Sequence, residues 1–341
     1  MYVPPFKITE KILGLVAEIS EQVGILNTSI GGNLPSPTLR KKNQIKTIHS
    51  SLAIENNSLS LKQVTDIVDG KHVLGAPDEI QEVKNAIEAY HLMSQLDAFC
   101  EKDLLKAHQL MMKDLVRQSG NYRQDGVGVF DGNGNCLHMA PPAARVPNLM
   151  ADLFHWVKTC KVHPLIYSCV FHYEFEFIHP FIDGNGRMGR YWQTVLLSRW
   201  KGIFAWLPVE TIVKEHQQEY YNVIARCDAM GESTLFIEFM LGCLLDAVEN
   251  YEETESEEVE PLHDKLHDKL HDKFPQLSEK SFEILEVLKV HPNLNAEKIG
   301  EFVTLSQRQV KTYINALKQA GLIVRVGSNK TGYWKVCGVR N

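Results

Sequence analysis

The chain has 341 residues, 44% hydrophobic and 23% charged, with a net charge of −6, the composition of a soluble globular protein long enough for two domains. This balance excludes a chain that is basic throughout, as a nucleic-acid coat is, and no apolar run approaches the roughly 20 residues of a membrane helix. Seven widely spaced cysteines without a CxxC pair suggest neither a disulfide framework nor a zinc site and are expected as buried thiols; the N-terminus, MYVPPFKITE, lacks signal-peptide order, so the expected compartment is the cytoplasm.

In chain order, apolar residues recur at helical spacing through ITEKILGLVAEISEQVGIL, LRKKNQIKTIHSSLAIE, EIQEVKNAIEAYHLMSQL, VPNLMADLFHWVKTC, LIYSCVFHYEFEFI and TLFIEFMLGCLLDAVENY. The protein is expected to be mainly α up to about Tyr251. VGVFDGNGNCLHMAPP interrupts this pattern, with alternating apolar residues around Asp131-Gly132 and Asn133-Gly134 and two closing prolines, and reads as a β-hairpin flap.

Residues 252–276 read as a linker, with six glutamates between Glu252 and Glu260 followed by LHDK three times. On a helix, His263, His267 and His271 would stand at a spacing that can hold a metal, but a tandem repeat in an acidic spacer is more simply a solvated connector. From Pro275 to Asn341 there are ten Lys+Arg and five Asp+Glu, a balance of +5 in an acidic chain. SFEILEVLKVHP, NAEKIGEFV and SQRQVKTYINALKQAG, then LIVRVGSNKTGYWKV, give three short helices and a hairpin, the winged helix-turn-helix order, with Ser306 as N-cap and Gly321 as C-cap of the third helix. The expected divisions are 1–251, a linker over 252–276, and a winged helix domain over 277–341.

The densest chemistry is HPFIDGNGRMGR at 179–190, read as the loop between two helices. Consecutive N–H groups around Gly184-Asn185-Gly186, at the start of a helix, form an anion site. Arg187 and Arg190, three apart, can each direct a guanidinium fork at phosphate. Asp183 beside such a site suits Mg²⁺, and His179, freed from the preceding helix by Pro180, suits a general base. Phe181 is expected to anchor the loop in the core, and His172 to be a packed helical histidine. Base, carboxylate, anion cradle and arginines within twelve residues point to a nucleotide site.

The stretch resembles, at every position, the signature HxFx(D/E)GNGRxxR of the Fic family (filamentation induced by cyclic AMP). Most members of that family transfer AMP from ATP to a hydroxyl of a target protein. The resemblance implies a Fic-type helical domain in which His179 deprotonates the hydroxyl and Asp183 holds Mg²⁺. The backbone of Gly184 to Gly186, with Asn185, would cradle the α- and β-phosphates, with Met188 and Gly189 in the same binding segment. Arg187 would neutralise departing pyrophosphate and Arg190 would grip the γ-phosphate. Phosphorylating relatives carry lysine where this chain has Gly186, which favours AMP transfer here.

GNYRQDGVGVF through MAPPAARVPNLMADLFHW resembles the family's flap, which implies that Val127, Val129 and Phe130 border a target segment held by strand addition. EYYNVIARCD resembles the helix that shelters adenine, implying that Tyr220 and Tyr221 stack on or hydrogen-bond the base. Ser51 to Asn56 matches the inhibitory pattern (S/T)xxxE(G/N), and its place before the catalytic core resembles the class with an N-terminal inhibitory helix. Glu55 aimed at Arg190 would occupy the cation meant for the γ-phosphate; relatives with this glutamate can also use it to remove AMP. The expected partners are ATP, a protein substrate that includes the chain itself as a candidate, and a second copy in a homodimer. A competing expectation is an ATP-sensing DNA-binding regulator, in which Gln307, Arg308, Gln309, Lys311 and Thr312 of the third helix and Lys330 of the wing meet DNA or, alternatively, a protein.

Overall fold

The computed structural model describes residues 2–29, 35–130, 136–256, 277–290, 292, 294–303, 305–326 and 333–336. They fall into two compact units, Met1–Ser256 and Glu257–Asn341.

The first unit begins with helices α1 (Glu10–Ser29) and α2 (Pro37–Ile54). Helix α2 opens where the Ser36 side chain accepts the Leu39 N–H and Pro37 presets the first turn. It stops at Glu55, beyond which Asn56 turns left-handed at φ 69°. Helix α3 (Leu61–Val68) starts on a reciprocal Ser60–Gln63 capping box. Helices α4 (Pro77–Leu92) and α5 (Glu101–Met111) follow. The interruption expected next is a hairpin of β1 (Gly128–Phe130) and β2 (Cys136–Met139), antiparallel, pairing Gly128 with Met139 and Val129 with His138. Its turn at 131–135 and the side chains of Val129 and Phe130 lie outside the described residues.

The remaining helices are α6 (Val146–Thr159), α7 (Pro164–Ile178), α8 (Asn185–Trp200), α9 (Val209–Glu215), α10 (Gln217–Met230) and α11 (Thr234–Ser256). Helices α7 and α8 are buried on nearly every face because they form the centre: Phe171, Phe175, Tyr191, Trp192, Val195 and Leu196 are wholly buried, and α8 also takes Arg187, Arg190 and Gln193 inside. Phe181, between the two helices, is buried as expected. The N-terminal strand of chain is pinned to the start of α11, where Ser233 N–H donates to Pro5 O and Lys7 N–H to Thr234 Oγ1. Cys169, Cys227 and Cys243 are buried thiols, whereas Cys100 and Cys160 are only part-buried. No helix of the described residues is long and apolar enough to cross a membrane.

The second unit has α12 (Glu279–Val290), α13 (Ala296–Val303) and α14 (Gln307–Gln319), then β3 (Ile323–Val326) paired antiparallel with β4 (Tyr333–Val336). This is the winged helix order, closed around its own core of Phe282, Ile284, Leu288, Ile299, Val310, Ile314, Leu317 and Ile323. Ser306 caps α14 through a capping box with Gln309. The cap at the other end is Ala320, and Gly321 follows it in the left-handed region at φ 72°, with Leu322 N–H returning to Leu317 O. The LHDK repeat and Lys330 lie outside the described residues.

Candidate active site

Helix α7 ends at His179, which caps it in the left-handed region at φ 49°, a conformation uncommon for a residue with a side chain. Pro180 prevents continuation of the helix, and the reversal sends the chain across Phe181 into α8. His179 is half-buried, and its Nδ1 faces Glu176 O at 3.4 Å. A proton on that nitrogen leaves the basic lone pair on Nε2.

The loop is closed by Asn185, whose side chain accepts the Phe181 N–H and donates to Phe181 O, both at 2.9 Å. The Asn185 amide therefore builds the cradle, and only its backbone is left to line it. Gly184 is left-handed at φ 82°, and a Cβ there would strike Met112 Sδ, so the turn requires glycine. Asn185, Gly186 and Arg187 then contribute the first N–H groups of α8, which have no intrahelical acceptor. Met188 is wholly buried and Gly189 packs against Glu176 and His172; neither brings a side chain to the cradle.

Both signature arginines are buried. Arg187 Nη1 pairs with Glu82 Oε1 at 2.9 Å, and Nη2 lies 3.5 Å from Asp183 Oδ1. Arg190 donates through Nε to Ser51 Oγ and through Nη2 to Ser51 O, and its Nη2 meets Glu55 Oε1 at 2.8 Å. Arg187 Nε and Arg190 Nη1 are buried without a hydrogen-bond partner among the described residues, which leaves each guanidinium with a donor for an anion. Burial works against the Arg190 charge, but Glu55 ahead of the other nearby acidic groups outweighs it and holds its pKa above the ordinary value. The Asp183 carboxylate is 59% exposed, with Oδ1 accepting the Gly184 N–H at 2.6 Å.

The surrounding residues belong to known company. Residues 95–197 match the Fic/DOC family. A Fic family protein from Desulfovibrio desulfuricans G20, known by crystal structure, is 43% identical over the whole of both chains, with a TM-score of 0.72. The chain belongs to the Fic family. Its C-terminal residues 277–324 match a winged helix-turn-helix DNA-binding family. Protein adenylyltransferase Fic of Aedes aegypti is 28% identical over 226 residues, which are 62% of this chain and 42% of that protein. The Culex quinquefasciatus protein of the same name is 29% identical over 218 residues, 60% of this chain and 40% of its own. The chain thus matches less than half the length of these relatives. Fic-1 of C. elegans shares the fold, with a TM-score of 0.57 at 18% identity.

Within this Fic chain, the two tyrosines expected near adenine part company. Tyr220 is 1% exposed, and its hydroxyl lies 3.1 Å from His172 Nε2. His172 Nδ1 is 2.7 Å from Gln193 Oε1, and burial lowers its pKa to about 3. Tyr220 therefore packs the core with His172, while Tyr221 is 41% exposed and donates to Ile54 O at the end of α2.

Three site residues carried no sequence signal. Glu82 reaches Arg187 from α4 and also accepts from Asn57 Nδ2 at 2.7 Å. His108 stacks on Phe181 with ring centroids 3.5 Å apart. Its Nδ1 accepts the Gly120 N–H, so Nε2 carries the proton and donates to Asp183 O at 3.1 Å. Burial lowers its pKa to about 4, which keeps it neutral. Arg123 is 2% exposed beneath the His179 turn.

Proposed function

We propose that the chain transfers AMP from ATP to a hydroxyl of a protein and that Glu55 holds this activity back. The reading rests chiefly on the convergence of His179, the N–H groups opening α8, and two buried arginines that each keep an unpaired donor nitrogen. Relatives named protein adenylyltransferase support it.

In this scheme the triphosphate lies on the N–H groups of residues 185–187 that open α8, the Gly184 N–H that the signature also implied being given to Asp183 Oδ1, and the target hydroxyl approaches along the β1–β2 hairpin near Val127, Val129 and Phe130. His179 Nε2 takes the hydroxyl proton as the oxygen bonds to the α-phosphorus; the bond to the β-phosphate oxygen breaks, and pyrophosphate leaves with the electron pair. Arg187 meets the charge on pyrophosphate and Arg190 holds the γ-phosphate. Once Glu55 has withdrawn, Gly186 leaves the backbone open to phosphate, and exposed Tyr221 offers adenine an aromatic face.

Asp183 fits a magnesium ion. Its carboxylate is solvent-accessible beside the cradle. Magnesium takes one or two carboxylates and completes its shell with phosphate oxygens and water. Bound there, it would offset charge on the triphosphate.

The test is mass spectrometry of the Glu55→Gly protein incubated with ATP and Mg²⁺, alone and in lysate, with Glu55→Gly/His179→Ala as control. A gain of one adenylyl group that the control lacks is expected. Equal labelling with and without His179, or none in either, would rule the reaction out.

We infer a second role for the C-terminal unit, in duplex DNA binding. Gln307, Arg308, Lys311 and Thr312 are all exposed on α14 while Val310, Ile314 and Leu317 face the core. Gln309 is engaged by Ser306 in the capping box and contributes less.

A further inference from the structure

Arg123 donates four side-chain hydrogen bonds and one from its main chain close to the site, none of them to residues 184–190. Its Nε donates to His179 O at 2.7 Å, Nη1 to Asp125 O at 2.8 Å, and Nη2 to Pro141 O and, at 3.3 Å, to Ile178 O. Its own N–H donates to Pro180 O at 2.9 Å. Every acceptor is a main-chain carbonyl, drawn from the turn at 178–180 and from the two feet of the hairpin: Asp125 just before β1 and Pro141 just after β2.

We propose that Arg123 is a positioning residue that bolts the left-handed turn of His179 to the base of the hairpin, so that the base and a chain segment docked on the hairpin keep one register. The proposal rests on the AMP transfer proposed above.

Two independent features carry it. His179 is one of the few non-glycine residues at positive φ among those described, and such a conformation persists only where surroundings over-determine it. Arg123 supplies that constraint through the carbonyls of His179 and its predecessor. The second feature is the nature of the cation: a guanidinium buried to 2% exposure with carbonyl acceptors only. Keeping an ion there is costly unless its donors are satisfied. Its three nitrogens reach four carbonyls on three separate segments of chain, whereas a lysine offers three donors from a single nitrogen and cannot span them. The hairpin is a short ladder of its own, continued at its foot by Ala140 N–H to Val127 O at 3.2 Å. The Arg123 fork fixes both feet relative to the imidazole.

The consequence is a split between chemistry and nucleotide binding. The Arg123 side chain bonds the base's turn and the hairpin but not residues 184–190, so its loss misaligns the transfer while ATP still binds. Misplacement of a reacting group by an ångström costs about 100-fold in rate.

The experiment uses the full chain with Glu55→Gly, comparing Arg123 with Arg123→Gln and Arg123→Lys. It measures AMP incorporation into lysate proteins from labelled ATP, ATP affinity by calorimetry and the melting temperature. Expected are a fall in kcat for transfer of about 100-fold with ATP affinity unchanged, and Arg123→Lys, which keeps charge but loses the fork, failing to restore the rate. A folded variant that transfers normally, or one that loses rate and ATP affinity together, overturns the proposal. So does failure of both variants to fold, which would assign Arg123 to stability alone. Absence of incorporation by the Glu55→Gly parent would instead sink the transfer reading and this inference with it.

Discussion

Glu55 Oε1 lies 2.8 Å from Arg190 Nη2, and a Cβ added at Gly186 would collide with that same carboxylate oxygen. The glutamate therefore stands against the middle of the phosphate cradle while neutralising the cation assigned to the γ-phosphate. A hydrogen bond to a charged group is worth about 1.5–3 kcal/mol, so removing the competitor is expected to tighten ATP binding and raise AMP transfer by about 10-fold or more. Initial rates and ATP titration of Glu55→Gly against the parent check this. Equal rates would show that Glu55 is no brake.

The reach of Glu55 depends on where α2 ends, and α9 and α10 hold that end. Lys214 Nζ donates to Ala53 O at 2.8 Å, and Gln217 Nε2 and Tyr221 Oη donate to Ile54 O at 2.9 and 3.1 Å. These donors meet the terminal carbonyls that a helix cannot satisfy itself, with the Lys214 charge favoured by the helix dipole. Lys214→Met/Gln217→Ala removes two such bonds, each worth roughly 1 kcal/mol. The double variant is expected to raise transfer severalfold while Glu55 is present and to add nothing once Glu55 is glycine. Rates of the four combinations give the answer, and an additive gain in the Glu55→Gly background would refute the latch.

The signature loop was legible because its parts are contiguous: turn glycines, helix start and arginines occupy neighbouring positions, and local spacing fixes their common face. Glu55 was legible through a short pattern. His108, Arg123 and Glu82 were not, because they reach the loop from 75, 56 and 105 residues away in sequence. His108 and Arg123 moreover bind main-chain carbonyls there, which no residue pattern records. Tyr220 and Tyr221 show the opposite limit. Successive helical residues point in different directions, so the pair announces an aromatic site without telling which ring is buried.

His108 makes the loop's stability depend on pH in a defined window. Its pKa is lowered by burial to about 4 from 6.5, so the unfolded chain binds more protons between those values and stability falls as pH drops through them. Protonation places a hydrogen on Nδ1 against the Gly120 N–H that it accepts at 2.8 Å. The contribution lost between pH 6.5 and 4 is up to about 3 kcal/mol. His108→Gln lacks this titration, so its stability deficit relative to the parent is expected to shrink on acidification. Denaturant melts of both proteins across that window test the sign, and a deficit that stays constant would exclude His108 as the titrating group.

The exposed face of α14 makes a separate prediction for nucleic acid. Arg308 and Lys311 stand on its solvent side near the N-terminal end, whereas Lys318 and Arg325 lie over the Trp334 ring, at 4.9 and 4.8 Å. The first pair is thus available to phosphates, and the second is partly engaged in holding the wing strand. If the unit binds duplex DNA, each phosphate contact releases counterions and steepens the dependence of affinity on salt. Arg308→Ala and Lys311→Ala in the full chain are then each expected to reduce the log–log salt slope by about 1. Lys318→Ala is expected to alter that slope less. Affinity titrations on duplex DNA at several salt concentrations measure it. No binding at low salt would reject the DNA role and leave α14 as a docking face for protein.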